Sequence, residues 1–468
     1  MNYYLLPFRF ERLGDYEILV NEVGDYLICL AGTSKRIVER QVSENDELYK
    51  DLISNHFIST KPIPKLVDNL AARYRTKKAF LDNFTALHIF VMTIRCNQNC
   101  LYCQASSKEC NQTIYDISYE TLDYGINLMF QSPSPHLTME FQGGEPTLVF
   151  DKIEYAIEKC EKINDSKNKH IIYVICTNSV SLSSDMLSLC KKYNVLISTS
   201  LDGPEFVHNQ NRGKKDSYEK VLCGIKNVRN ELGDNKVSAL MTTSRLSLNY
   251  PKEIVDSYIE NGFSNIFLRS LNPYGLVYEN DNWDDYYSQF IEFYKISLDY
   301  IIKKNKEGIY FEESFTTLIL KKILTPFSIG FVDLQSPAGL INSVVVYNYD
   351  GYVYASDESR MLAEHEDFTF RLGSVKDRYL DLFYGKKTLE IANTWANESL
   401  AGCSDCAFQA YCGADPVRNY TTQNDMEGFR PTSFLCKKNK SIIKHIFSLI
   451  INRNEEVMPV FKSWLNNN

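Results

Sequence analysis

Cys96-Asn97-Gln98-Asn99-Cys100-Leu101-Tyr102-Cys103 decides how the rest of the chain is read. The three cysteines stand at C-x3-C-x2-C spacing. Just before them, residues 87–93 (Leu-His-Ile-Phe-Val-Met-Thr) are apolar enough for a buried strand. The cysteines therefore fall in a loop at that strand's C-terminal end, where barrel folds keep their chemistry. Asn97, Gln98 and Asn99 suit a polar loop, not a core. Three thiolates in so short a loop can hold one metal centre. Four would close a structural zinc site, whereas three leave a coordination position open. A [4Fe–4S] cube on three thiolates keeps one iron free for a small-molecule ligand.

Outward from this loop, strand and helix patterns alternate over residues 86–305. Strands are expected at 87–93, 137–141, 171–176, 195–200, 238–243 and 265–268, with amphipathic helices between them. Repeated β-α units imply a parallel sheet with right-handed crossovers. Six strands are too few for a closed eight-stranded barrel, so the expected fold class is α/β, a partial (β/α)6 barrel open on one side. Residues 1–80 read as a small α+β domain: a hairpin over 17–20 and 25–30 around Gly24, a helix capped by Thr33-Ser34, and helical spacing over 46–57. Residues 282–308 read as a long helix. Val344–Tyr347 and 352–354 flank Asp350-Gly351, a hairpin turn signal, and 441–451 is an amphipathic helix.

The whole chain has 468 residues, too many for one ordinary core, so about two or three domains are expected. A net charge of −8 argues against general nucleic-acid binding. No apolar run reaches membrane-spanning length, and the N-terminus lacks a basic region followed by an apolar stretch and a cleavage site. A cytoplasmic location is expected, where the 13 cysteines would be reduced thiols or metal ligands. Seven fall into two spaced groups. The others (Cys29, Cys110, Cys160, Cys176, Cys190 and Cys223) read as core residues, Cys110 least clearly because its surroundings are polar.

The second strand runs into Gln142-Gly143-Gly144-Glu145-Pro146. Its glycines let backbone approach a ligand closely, and free N–H and C=O groups with Glu145 could hold an ammonium group. Thr177-Asn178 ends the third strand and either lines the same pocket or caps the strand. The fourth ends at Ser200, followed by Leu201-Asp202-Gly203-Pro204 and then Arg212. An arginine fork suits a carboxylate, although a surface ion pair is the plain alternative. Near the C-terminus Cys403, Cys406 and Cys412 at C-x2-C-x5-C spacing, with Cys436 beyond, suit zinc or an iron–sulfur cluster.

The three-cysteine loop, the GGEP stretch on the second strand and the order of the later motifs resemble the radical SAM enzymes. That resemblance implies that the free iron chelates S-adenosylmethionine. It implies further that Gln142–Pro146 bind its methionine amino group, Ser200 its ribose and Arg212 its carboxylate. Residues 330–440 resemble the SPASM extension, which usually carries two auxiliary [4Fe–4S] clusters. Cys403, Cys406, Cys412 and Cys436 match the ligand set of the second. Positions of the first are Ser336, Ser356 and Pro416 here, so one auxiliary cluster is expected. Asp357, after Ser356, matches a candidate general base of sulfatase-maturing relatives; a solvated acidic turn (Asp357-Glu358) is the alternative.

The opening Leu6–Arg12 segment, the stretch around Asp350-Gly351 and Cys412-Gly413-Ala414-Asp415-Pro416 look like the His-Xaa-Ser system maturase branch. This implies a ribosomally made precursor peptide as partner, an electron donor such as flavodoxin or ferredoxin, and a second maturase of the same system. Residues 1–80 resemble winged-helix leader-recognition domains; a packing extension of the barrel is equally open. Residues 441–468 would be a C-terminal helix and tail. The rival readings are an anaerobic sulfatase-type maturase and a non-catalytic iron–sulfur or zinc protein.

Overall fold

The computed structural model describes residues 3–275 and 282–466; the first two residues and the last two of the predicted tail lie outside them. Strands Leu87–Thr93, His136–Gly143, His170–Thr177, Leu196–Ser200 and Val237–Leu240 lie side by side, all parallel, as expected. Alternation sets their faces. Leu137, Met139 and Phe141 point to the outer core with Ile175 and Ile197, leaving Glu140 and Gln142 for the inner face. Helix Tyr119–Met129 closes this core through Leu122, Ile126 and Met129, a helical spacing. It starts at Ser118, whose Oγ accepts the Thr121 N–H at 3.0 Å, a cap worth about 1 kcal/mol.

The sheet departs from expectation at both ends. The predicted sixth strand shortens to Asn265–Ile266 and pairs with Glu312–Glu313 in a separate two-stranded sheet. In its place, hairpin Val344–Tyr347 and Tyr352–Tyr354 joins the other edge. Val344–Tyr347 runs parallel to Leu87–Thr93, and Arg371–Ser374 completes eight strands. An apolar edge strand such as Leu87–Thr93 leaves unpaired backbone groups, which the hairpin satisfies. The segment that precedes the C-terminal cysteines is thus hydrogen-bonded into the main sheet. Buried His88 reinforces the joint, its ring nitrogens 3.1 Å from Tyr347 Oη and 2.9 Å from the Thr85 carbonyl.

In the N-terminal segment, hairpin Tyr16–Asn21/Tyr26–Leu30 forms as read, with an unforeseen third strand, Phe8–Leu13. Helix Thr33–Val38 is not capped by Thr33-Ser34. Gly32 is its N-cap, and the Glu17 carboxylate accepts the Gly32 and Ser34 N–H groups, both at 2.8 Å. This sheet packs on the C-terminal region: Ile18 and Val20 share a core with Phe447, and Glu11 pairs with Lys440 and Lys444. The last helices are Phe434–Asn452 and Asn454–Asn466, longer than the predicted 441–451 because Ser433 caps a turn that includes Cys436.

Candidate functional site

The cluster loop is held by backbone on both sides. Lys108 donates to the Ile94 carbonyl and Cys96 to that of Lys108; Asn99 and Leu101 donate to the carbonyls of Arg212 and Asn211. Gly213 makes the second contact possible. At φ 65° it turns the chain after helix Glu205–Arg212, and a Cβ there would stand 2.5 Å from the Asn99 carbonyl oxygen. The loop's polar residues are not all solvated. Gln98 is buried and donates to Ser217 Oγ at 2.6 Å.

The three thiols converge on a cavity of about 240 Å³ at the C-terminal ends of the strands. Cys96 Sγ accepts the Gln98 N–H at 3.4 Å, and Cys103 Sγ accepts the Ser107 N–H at 3.5 Å. Burial pushes the Cys96 thiol up to about 12. Metal charge would have to displace its proton, as thiolate ligation requires.

Arg212 lines the same cavity, but its fork is engaged. Nε and Nη2 each donate to Asp202 at 2.9 Å, leaving Nη1 beside Cys100 Sγ at 3.8 Å. The plain alternative was a surface ion pair; this one is buried. Tyr102 Oη donates to the same Asp202 carboxylate at 2.6 Å. Burial raises the Asp202 carboxyl, yet Arg212, His208 and the Tyr102 hydrogen bond together outweigh it and hold the group below the usual range. Breaking such a pair costs about 3–5 kcal/mol. Asp202 was quoted in the sequence but given no role.

Gln142, Gly143 and Gly144 line the cavity. Their close approach is to protein: a Cβ on Gly143 would stand 1.9 Å from the Thr93 carbonyl oxygen, and one on Gly144 2.3 Å from that of Arg95. The N–H groups of Gly144 and Glu145 are not free, since they donate to those carbonyls at 2.8 and 2.7 Å. Glu145 is fully buried behind the wall, with Pro146 opening the next turn. Its carboxylate accepts from Thr147 N, Thr147 Oγ1, Thr177 Oγ1 and Asn178 N. Neither Glu145 nor Pro146 lines the cavity. Thr177 and Asn178 do, and Asn178 also donates to Asn97 of the cluster loop at 2.7 Å, so both pocket and strand-end roles hold. Ser200 lines it too.

The remaining wall comes from helix Asp357–Ala363, which follows the added hairpin. Asp357 lines the cavity and accepts from Arg360 Nε at 3.1 Å; it is not a solvated turn. Arg360 is 1% exposed, and its Nη1 has no hydrogen-bond partner; nor has Thr199 Oγ1, also on the lining. Thr199 shares the outward face of its strand with Ile197, so the orphan donor offered by the lining is that of Arg360, and such a buried donor beside three thiols fits a polar ligand next to a metal cluster. Sequence reasoning missed Arg360, and it read Cys176 as a core residue where the structure puts it on the lining.

Cys403, Cys406, Cys412 and Cys436 line a second cavity, of about 40 Å³, with Arg430 and Lys440 beside them. Asn439 Nδ2 donates to Cys412 Sγ at 3.5 Å. Among the described residues no three His, Cys, Asp or Glu side chains gather tightly enough for a single metal ion; the seven thiols ring two cavities. The three positions expected to lack a cluster serve the backbone. Ser336 Oγ accepts the Asn397 N–H, Ser356 caps helix Asp357–Ala363, and Pro416 opens helix Pro416–Gln423. Of the remaining cysteines, Cys29, Cys160 and Cys190 are buried as read, Cys110 and Cys223 are exposed, and Cys176 lines the first cavity.

Residues 90–258 match the model of the radical SAM superfamily, a span that holds the cluster loop and the glycine stretch. That family implies a [4Fe–4S] cluster and S-adenosylmethionine. In sequence the chain is similar to a cysteine-type anaerobic sulfatase-maturating enzyme of Clostridium perfringens, 22% identical over 374 residues, 76% of this chain and 95% of that one. It covers 62% of an uncharacterized protein of Methanocaldococcus jannaschii at 29% identity over 188 residues, 40% of this chain. In fold it is similar to anSMEcpe with bound AdoMet (TM-score 0.63, 19% identity, 81% of this chain and 99% of that one). It is likewise similar to Streptococcus suis SuiB bound to the precursor peptide SuiA (TM-score 0.50, 14% identity, 93% and 100%). Among the described residues no helix is long and apolar enough to cross a membrane.

Proposed function

We propose that this chain is a radical SAM peptide maturase that abstracts hydrogen from a ribosomally made precursor. The carrying observation is the meeting of Cys96, Cys100 and Cys103 with Gly143, Gly144, Ser200 and Arg212 on one cavity at the strand ends. When bound, the cluster and S-adenosylmethionine supply reductive cleavage to methionine and a 5′-deoxyadenosyl radical. The chain's own residues bind, orient and keep the site dry. The three thiolates hold the cluster. Glu145 locks Thr177 and Asn178 against the cluster loop, and Asp202 fixes Arg212 so that Nη1 faces the cluster side. Asp357 and Arg360 form the wall where a peptide would enter, with Asp357 placed to take a proton. Cys403, Cys406, Cys412 and Cys436 hold one auxiliary [4Fe–4S] cluster, fed or drained by a flavodoxin- or ferredoxin-class carrier. Residues 1–80 are a leader-recognition element that also packs on the auxiliary-cluster segment.

Similarity to SuiB, whose structure holds a precursor peptide, supports the peptide reading, and the His-Xaa-Ser branch with its second maturase is its narrowest form. The matched sulfatase-maturating enzyme favours a second reading, formylglycine formation on a sulfatase cysteine. Serine and proline at the first auxiliary positions count against it. The test is mass spectrometry of a small peptide encoded beside this chain, co-expressed with and without it. A change in mass or retention time confined to the co-expressed sample is expected. An unaltered peptide, with a sulfatase-derived cysteine peptide converted instead, would decide for the second reading.

A further inference from the structure

Beside the first cavity lies a smaller one, of about 30 Å³, whose lining includes Arg269, Asn272, Asp333, Asp415, Arg418 and Lys438. Arg269 lines both, so the two spaces share a wall. The smaller one is built around Arg418. Asp415 caps helix Pro416–Gln423 by accepting the Arg418 N–H at 2.9 Å. The same carboxylate stands 3.3 Å from Arg418 Nε, an ion pair without hydrogen-bond geometry. Arg418 Nη2 donates to Asn272 Oδ1 at 2.7 Å. The rest of the fork is idle: Arg418 is 6% exposed, and its Nε and Nη1 have no hydrogen-bond partner. Among the described residues the Arg269 side chain makes no hydrogen bond or ion pair. Nor does that of Lys438, whose Nζ lies 5.5 Å from the centre of the Phe315 ring. Buried polar atoms are normally satisfied, so an idle guanidinium facing a cavity marks a place for an acceptor.

We propose that this smaller cavity is an anchoring subsite for one carboxylate of the peptide, taken by Arg418 Nη1 and the Arg269 guanidinium. The proposal rests on the peptide-maturase reading above and narrows its substrate to a peptide that presents a carboxylate beside the reacting residue. Guanidinium donors match carboxylate and phosphate oxygens. Size separates the two. At roughly 10–15 Å³ for each water-sized atom, about 30 Å³ takes two such atoms, the oxygens of one carboxylate and not the four of a phosphate group. The carboxylate comes from an Asp or Glu side chain or from the end of the peptide; both offer the same two oxygens. Because Arg269 belongs to both walls, a group anchored here lies next to the space ringed by the three thiols and Ser200, so the reacting residue is its near neighbour in the peptide. Asp333 and Asp415 stand on the same wall and oppose a bare anion, so a free carboxylate should bind at about millimolar concentration.

The probe is carbon-13 formate, little more than a carboxylate. It is titrated into reconstituted full-length protein with S-adenosylmethionine in excess and no reductant, so that the first cavity is filled and no chemistry runs. The formate carbon linewidth reads binding. Saturable broadening is expected, unaffected by an equal concentration of formamide, the neutral counterpart. Arg418→Met should raise the midpoint at least about tenfold, the loss of a charge-assisted hydrogen bond. Should that buried variant not fold, Arg269→Met is the second one: its side chain is half-buried and has no partner to lose, and it too should raise the midpoint. Three acetylated tripeptides then compete with formate: a tripeptide amide with a central glutamate, trialanine with a free C-terminus, and trialanine amide. Displacement by the first assigns the carboxylate to a side chain, and by the second to the chain end. Broadening that does not saturate, displacement by formamide or by trialanine amide, an unmoved midpoint in the folded variants, or displacement by no tripeptide overturns the proposal. None of these readings depends on cofactor cleavage or on the neighbouring peptide, so the peptide-maturase reading stands or falls separately, by co-expression.

Discussion

Replacing Gly213 with alanine should cripple cofactor cleavage without emptying the cluster sites. The substitution has two separable costs. At φ 65° an L-residue other than glycine is disfavoured by about 1–2 kcal/mol. The added Cβ would also lie 2.5 Å from the Asn99 carbonyl oxygen, whereas ordinary contact begins at 3.4 Å. The difference, 3.4 − 2.5 = 0.9 Å, must be taken up by backbone, because the obstructing atom is backbone. Asn99 sits between Cys96 and Cys100 and is tied through its own N–H to the Arg212 carbonyl, so the displacement goes into the cluster loop. Misplacement of about 1 Å at a reacting centre costs up to about 100-fold in rate. We therefore expect 5′-deoxyadenosine release to fall about 10- to 100-fold while bound iron stays near the unaltered value. Gly14→Ala is the control: φ there is 61°, with nothing within 4 Å of the added Cβ. It carries the backbone cost without the clash and should leave release unchanged. Equal release from the two variants would refute the argument that Gly213 positions the cluster loop.

Three further outcomes follow from the same geometry. With cysteine ligation of one catalytic and one auxiliary cubane, reconstituted protein should hold about eight irons, and a Cys96/Cys100/Cys103→Ala triple variant about four with no 5′-deoxyadenosine; twelve irons and a third cluster by Mössbauer spectroscopy would show that Ser336, Ser356 and Pro416 were misread. Deleting residues 1–80 should weaken precursor binding in a fluorescence titration and lower Tm, because Ile18 and Val20 leave a shared core, yet residual cofactor cleavage should persist since every first-cavity residue lies beyond residue 86. Burial holds His88 neutral, its pKa lowered to about 3, so the folded state refuses a proton that the unfolded chain takes up near 6.5. Stability from this group is therefore present above about 6.5 and is lost as pH falls toward 3, amounting to about 3 kcal/mol at pH 4; His88→Gln should flatten that acid limb of Tm against pH, and an unchanged slope would assign the limb elsewhere.

The parallel strands and the three-cysteine loop were legible because their signals are local. Residues 87–93 are continuously apolar, and three thiols within eight residues have few uses. The sixth strand failed for a non-local reason. Residues 265–268 carry a strand pattern, but the sheet edge they would need is not where the chain delivers them, and Glu312–Glu313 offers one. The hairpin at 344–354 was read correctly as a hairpin, yet nothing in it says that its partner lies some 250 residues earlier at Leu87–Thr93. Arg212 shows the limit at the site. Its place in the cavity followed from the motif, but its engagement by Asp202 depends on helix Glu205–Arg212 turning the two side chains together.

Glu145 carries the largest consequence of that limit. The resemblance put it beside the cofactor; the fold puts it one layer behind, with four hydrogen bonds to Thr147, Thr177 and Asn178. A buried carboxylate with that many donors is a clamp: it joins the end of the second strand to the end of the third, and Asn178 joins the third to the cluster loop. The glycine stretch and the cysteine loop are therefore coupled through Glu145 instead of each meeting a ligand alone. The hairpin does the same on the opposite side, since pairing with Leu87–Thr93 brings Asp357 and Arg360 to the same rim. The walls on both sides of the strand that precedes the three cysteines are thus tied to it. A cluster held there would report, through its spectrum and potential, on substitutions in elements that never touch it.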